Sequence, residues 1–213
     1  MDKQYWEKYY TTHGQDDGIS KHSSFAEFCL EKILSQQKLN IVELGSGNGR
    51  DSIYFAHHNH HVLALDQSTV AIDLERVNIS DEINSNLIPM AEDFVLSDFD
   101  FGYDIDVFYS RFTLHSITKN DESILLPKVY NSLGEDGLFC VEVRTTNDTL
   151  CGVGEFCGDN TYLTDHRRRF IDSNKFLSDM VSMGFKLVYF TEENGLSVYK
   201  DDDPVLMRII LKK

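Results

Sequence analysis

The 213-residue chain has no apolar run near the roughly 20 residues that a membrane-spanning helix requires. Its opening stretch, MDKQYWEKYY, is charged and aromatic, which excludes a secretion signal and predicts a cytoplasmic protein. Proline is scarce, at 3 residues, and there is no repeat or low-complexity tract. No linker is therefore visible, and the expectation is one domain over residues 1–213. The four cysteines form no CxxC pair, so they are expected to be free thiols in a reducing compartment. Basic residues are outnumbered, 20 Lys and Arg against 35 Asp and Glu. The net charge of −15 argues against non-specific binding to nucleic acid or an anionic membrane, while leaving room for a local basic pocket.

What is present is a strand, a glycine turn and a helix start within NIVELGSGNGRD, residues 40–51. Ile41, Val42 and Leu44 have the apolar run of a buried strand. Gly45, Gly47 and Gly49 break it, and RDSIYFAH resumes at helical spacing. Glycines permit a sharp turn and close approach of a ligand, and the helix start offers unpaired N–H groups. The turn is not the dinucleotide fingerprint, because Arg50 stands where a third glycine is needed. It is not a phosphate-binding P-loop either, since it has no lysine.

The rest of the chain alternates strands and helices. Trp6, Tyr9 and Tyr10 share a helical face, which is either pinned to the core or a lid; Thr11 to Ser20 is a polar loop. Ser23 or Ser24 caps a helix bearing Phe25, Phe28, Cys29, Ile33 and Leu34. A second strand, Val62 to Leu65, ends in Asp66, placed to accept hydroxyl protons from a ribose bound at the turn. The HHNHH cluster before it is a solvated turn rather than a metal site, and no metal is expected. Strands follow at Asn86–Met90, Tyr103–Ser110 and Leu138–Val143, with a helix over Lys119–Leu133 that Pro127 kinks or starts late. Gly134 to Gly137 is a turn. Residues 145–170 show no period and predict a long loop of lid or binding type. A helix capped by Asp172 or Ser173 and ended by Gly184 precedes two strands, Phe185–Phe190 and Val205–Leu211.

Glu43-x-Gly45-x-Gly47-x-Gly49 followed by Asp66 resembles the first motif and ribose acid of the class I S-adenosylmethionine (SAM) methyltransferases. The resemblance extends through the order of elements over nearly the whole chain. YW…YY, SFAEF, SRFTLHSI, VEVR and HRRRF are similar to the compact small-molecule branch, of tellurite-resistance-like and thiopurine type, and to enzymes of surface-polysaccharide clusters. It implies an α/β, Rossmann-like, seven-stranded, mostly parallel sheet in the order 3-2-1-4-5-7-6, with helices on both faces. It implies SAM as cofactor and S-adenosylhomocysteine as product. Cofactor contacts are then expected from Trp6, Tyr10, Glu43, Gly45, Ser46, Gly47, Gly49, Arg50, Asp51, Asp66, Gln67, Asp93, Phe94 and Ser110. Residues 1–20 are expected to form a cofactor lid and residues 145–170 a substrate lid. The chain lacks the Asn/Asp-Pro-Pro-Tyr/Trp motif after the fourth strand, which disfavours amino-group methylation and leaves oxygen or sulfur of a small molecule as the simplest target.

Methyl displacement from a sulfonium needs an aligned nucleophile, and a base only if that nucleophile is a neutral hydroxyl. His115 is the histidine at the expected methyl site, as general base or as a structural or substrate-binding group, with Arg111 beside it. Arg111, Arg144, Arg168 and Arg169, with His166, lie after strand ends or in the long loop, the ligand side of an open α/β sheet. They form either a pocket for an anionic metabolite, such as a phosphate- or carboxylate-bearing glycan precursor, or surface pairs with the many acids. A SAM-binding regulator without catalysis and a nucleotide-dependent enzyme on a similar sheet are the competing classes. The sequence leaves the oligomeric state open.

Overall fold

Strand β1 (Asn40–Leu44) is the centre of the molecule, because its alternating side chains feed two cores. Val42 and Leu44 enter one cluster and Ile41 the other, as the period of two demands. In this computed structural model residues 2–14, 21–34 and 37–213 are described. Part of the loop expected at Thr11–Ser20 (residues 15–20) lies outside them.

Helix α1 (Lys3–His13) comes first and takes in Thr11 and Thr12. Helix α2 (Ser24–Phe28), capped by the Ser23 side chain, continues as a π-helical turn over Cys29–Ile33. After β1 come α3 (Arg50–His57), β2 (His61–Asp66), α4 (Thr69–Asn78) and β3 (Leu87–Ala91). Then follow β4 (Ile105–Arg111), a 3-10 turn at Leu114–Ser116, α5 (Lys119–Ser132) and β5 (Leu133–Arg144). Helix α5 starts early, on a Thr118–Asp121 capping box, and runs through Pro127. The expected turn at Gly134–Gly137 is absorbed into β5, where the ladder to β4 shifts register and Asp136 takes φ 65°.

Residues 145–170 are not a plain loop. They fold into a small antiparallel sheet of β6 (Glu155–Phe156), β7 (Thr161–Leu163) and β8 (Arg167–Arg169). Strands of two or three residues are too short to show an alternation in sequence. Helix α6 (Ser173–Met183), capped by Asp172 and closed by left-handed Gly184, leads to β9 (Lys186–Glu193) and β10 (Leu206–Lys212).

The main sheet runs β3-β2-β1-β4-β5-β10-β9, parallel except for β10, which is antiparallel to both neighbours. With the three insertion strands set aside, this is the expected 3-2-1-4-5-7-6 order. Leu125 and Val129 of α5 and Phe176 and Met180 of α6 cover one face, and Phe25 of α2 with Phe55 of α3 cover the other. Each such buried side chain contributes about 1.5–3 kcal/mol. The C-terminal ends of the parallel strands all open at one edge of this layered core, where an open α/β sheet places its ligands.

Candidate active site

The glycine turn is built by backbone geometry. Gly45, Gly47 and Gly49 all sit at positive φ, 74°, 60° and 81°, which side chains rarely tolerate. The turn is tied to β2 by the N–H groups of Gly45 and Ser46, which both donate to the Leu65 carbonyl, at 2.7 and 3.0 Å. Space adds a second constraint. A Cβ at Gly45 would press on the Thr113 side chain, one at Gly47 would overlap the Tyr10 hydroxyl, and one at Gly49 would overlap Glu75.

Asp66, at the end of β2, closes over this turn. It accepts from the N–H of Gly47 at 3.0 Å and of Ser68 at 2.8 Å, while burial pushes its pKa up. Each carboxylate oxygen keeps a second lone pair for a ligand. Glu43 is buried beneath, bonded by the Ser52 hydroxyl, with its pKa driven well up by burial and then by Asp51. Glu75, bonded by the Ser46 hydroxyl at 3.0 Å, is pushed up to about 8 by burial.

A cleft of about 740 Å³ opens from this turn across the ends of β4 and β5. That is within the ordinary range for a small-molecule or cofactor site. Trp6, Tyr9 and Tyr10 of α1 form one wall, although no residue of α1 is buried. The helix is held instead through Glu7, whose carboxylate accepts from the N–H groups of Thr69 and Val70 at the start of α4, at 3.0 and 3.2 Å. It also touches the insertion: the Tyr5 hydroxyl donates to Asp165 at 3.1 Å, and the Tyr5 ring stacks on His166 at 4.5 Å.

The far end of the cleft gathers Arg111, Arg144, Arg168, His115 and His166. Arg111 is paired with Glu142 at 2.9 Å and donates to the Ser197 hydroxyl at 2.8 Å. Arg144 is paired with Asp148 at 3.0 Å and with Asp202. The Arg168 guanidinium has no hydrogen bond or ion pair within 4 Å among the described residues. Burial, then Arg168 and Arg144, hold the His115 imidazole well below its usual pKa, so it is neutral near pH 7. His166 is likewise lowered by burial and Arg168, although Asp165 lies 3.1 Å away.

Of the residues singled out from sequence, Trp6, Tyr10, Glu43, Gly45, Ser46, Arg50, Asp51, Asp66, Arg111, His115, Arg144, His166 and Arg168 line this cleft. Gly47 and Gly49 shape the turn behind it. Others are elsewhere. Phe94 is fully buried in the core, because its loop turns the ring inward, and Asp93 accepts from the N–H of Val95 at 3.0 Å. Gln67 and Ser110 are buried outside the lining. Asp51 lines the cleft but its oxygens accept from Ser23 and from the Tyr109 hydroxyl, at 2.6–2.8 Å, which makes it a tie between α3 and the start of α2. Arg169 turns away from the cleft: it donates to the carbonyls of Ile117 and Leu114, at 3.1 and 2.9 Å, and pairs with buried Glu122. Sequence reasoning missed the β9–β10 connection, whose Leu196, Ser197 and Tyr199 form the opposite wall. The only signal was its length, well beyond that of an ordinary hairpin loop. It also missed Glu142 and Arg208, the buried pair that holds this connection.

Residues 41–137 match the family model described as a methyltransferase domain. Among solved structures, a Burkholderia thailandensis 1,6-didemethyltoxoflavin-N1-methyltransferase with bound 1,6-didemethyltoxoflavin and S-adenosylhomocysteine superposes with TM-score 0.71. That similarity is at 14% identity, over 99% of this chain and 88% of that one. The glycopeptide N-methyltransferase MtfA with S-adenosylhomocysteine gives TM-score 0.70 at 14% identity, over 91% of this chain and 90% of the other. An S-adenosylmethionine-dependent methyltransferase from Mesorhizobium loti gives 0.67 at 17%, over 88% and 98%. No curated protein matches the chain by sequence.

The fold is that of the class I SAM-dependent methyltransferases. The residues present also fit the cofactor of that fold. The turn opens at Gly45 and Ser46 onto the cleft of about 740 Å³, and Asp66, a carboxylate with spare acceptor capacity, stands beside it. No group of three or more metal-ligating side chains occurs among the described residues, and no described helix is long and apolar enough to cross a membrane.

Proposed function

We propose that the protein is a SAM-dependent methyltransferase acting on an oxygen or sulfur atom of a small metabolite that carries a phosphate or carboxylate. The observation that carries the anionic acceptor is Arg168, half-buried inside the cleft without a close partner in a chain of net charge −15. A guanidinium in that position suits a two-pronged grip on an anion. The compact small-molecule branch, with a surface-glycan precursor as one such acceptor, fits the length of the chain. Neither a nucleic acid nor a membrane is required as partner.

The turn at Gly45–Gly49 and Asp66 would hold the methionine and ribose parts of the cofactor, with Trp6 and Tyr10 over them. SAM supplies a methyl group already activated by its sulfonium. The chain contributes alignment: Arg168 fixes the anionic end of the acceptor, and the cleft walls exclude water. His115, kept neutral, is able to accept a proton from a hydroxyl or thiol nucleophile. Helix α1 and the insertion serve as the two lids, meeting at Tyr5 and Asp165.

The test combines calorimetry with turnover. The wild type should bind S-adenosylhomocysteine, and Asp66→Ala should bind it about 1–3 kcal/mol more weakly, the scale of lost charged hydrogen bonds. Screening phosphorylated and carboxylated metabolites for S-adenosylhomocysteine release should find an acceptor. Arg168→Ala should leave cofactor affinity unchanged and lower kcat/KM for that acceptor roughly ten- to a hundredfold. An acceptor that is neutral and is methylated equally by Arg168→Ala would refute the anionic reading. Cofactor binding without release from any acceptor would favour a non-catalytic role.

A further inference from the structure

A second cavity, of about 350 Å³, lies behind the cleft and shares with it a wall made of Tyr5, Trp6, His115, Ser116 and His166. Strand β8 borders both spaces. Alternation along the strand sends Arg168 to the cleft and Arg167 and Arg169 to the second cavity. Arg169 is engaged by Glu122 and two carbonyls, but the exposed Arg167 guanidinium has no hydrogen bond or ion pair among the described residues.

The dividing wall is itself unsatisfied. His115 is more than nine-tenths buried, and its Nδ1 makes no hydrogen bond among the described residues, whereas Nδ1 of the equally buried His166 lies 3.1 Å from the Asp165 carboxylate. A buried ring nitrogen without a partner is costly, so His115 calls for a ligand atom at the wall. The hydroxyls around the second cavity are also able to donate. Thr118 Oγ1 accepts from the Asp121 N–H at 3.0 Å and keeps its own proton, and Thr161 makes only a 3.5 Å contact with the Asp159 carbonyl. The carboxylate in the lining, Asp2, is taken up in capping α1, where it accepts from the Tyr5 N–H at 3.1 Å.

We infer that the second cavity is a distal subsite of the acceptor, taking a second phosphate or carboxylate on Arg167 with the hydroxyls of Thr118 and Thr161. The acceptor is then an elongated molecule with two anionic groups, one held by Arg168 in the cleft and one by Arg167 behind it. It crosses the wall beside His115 and His166. This rests on the methyltransferase reading of the cleft.

The probe is inorganic phosphate, titrated against the protein saturated with S-adenosylhomocysteine and followed by phosphorus NMR. The wild type should show two saturable sites. Arg167→Gln should lose one and Arg168→Gln the other, with S-adenosylhomocysteine affinity unchanged in both. Thr161→Trp, which fills the second cavity without touching the cleft, should behave like Arg167→Gln. A single phosphate site in the wild type, or two sites persisting in both Arg167→Gln and Thr161→Trp, would overturn the inference. Failure of the wild type to bind S-adenosylhomocysteine would instead strike the methyltransferase reading.

Discussion

Replacing Arg169 by alanine separates a structural arginine from a ligand-binding one. The substitution removes the donors to the carbonyls of Ile117 and Leu114, at 3.1 and 2.9 Å, and the pair with Glu122. Glu122 stays behind at 1% exposure, with Lys119 at 2.5 Å as its remaining cation. Breaking a buried pair costs about 3–5 kcal/mol, and the surviving lysine puts this case near the lower end, about 3 kcal/mol. For a chain of this size about 2–4 °C is lost per kcal/mol, so Tm should fall by roughly 6–12 °C. The carbonyls released flank the turn that carries His115, so turnover should fall as well. The assay is a thermal melt of Arg169→Ala, Glu122→Gln and the double variant. The double variant should melt above Arg169→Ala, because it no longer buries an unbalanced carboxylate. An Arg169→Ala protein that melts within about 1 °C of wild type but turns over its acceptor a hundredfold less well would sink this reasoning. It would restore Arg169 as an acceptor ligand.

Three further outcomes are expected. Gly47→Val should weaken S-adenosylhomocysteine binding beyond calorimetric detection and loosen α1, since the new side chain meets the Tyr10 hydroxyl at a position of φ 60°; unaltered binding would contradict the turn's role. Glu75 holds its proton up to about pH 8 in the folded chain but only to about 4.5 when unfolded, so the folded state binds the extra proton between these values. Its contribution to stability should therefore decline from about pH 4.5 to 8 and level off above. Urea titrations across that range should show a shallower decline for Glu75→Gln, and parallel curves would refute the assignment. Trp6 is the sole tryptophan and lies on the cleft wall, so saturating S-adenosylhomocysteine should shift its emission; no shift would show that α1 takes no part in cofactor binding.

Much of the fold was legible because its signals are local. The strand–turn–helix at residues 40–57, the acid at Asp66, the caps narrowed to Ser23 or Ser24 and to Asp172 or Ser173, and the stop at Gly184 each depend on a few neighbouring residues. Even the order of the seven strands was within reach once the motif's resemblance was seen. The direction of individual side chains was not. Arg168 and Arg169 are adjacent in sequence, yet one enters the cleft and the other seals a buried acid 47 residues earlier. The frame that decides this is β8, too short to betray its phase. Phe94 was misplaced for a related reason, as nothing local distinguishes a ring turned into the core from one facing a ligand. The cleft wall at Leu196–Tyr199 depends on Glu142 and Arg208, partners distant in sequence.

That last arrangement makes the mouth of the cleft a jaw with one fixed side. Glu142, with no exposed surface, grips Arg111 at 2.9 Å and Arg208 at 2.6 Å. Arg208 in turn clamps the Leu196 carbonyl and the Ser24 hydroxyl, at 2.9 and 2.8 Å, and Ser24 donates to that same carbonyl at 2.6 Å. The first turn of α2 and the β9–β10 connection are thus riveted together through one carboxylate, and parting them would strand a charge in the interior. The opposite side is fastened by the half-exposed Glu7 at the start of α4, by ring contacts and by one exposed bond, Tyr5 to Asp165. Those α1 ties are made by groups in contact with water, so releasing them strands no charge in the interior, unlike the Glu142 side.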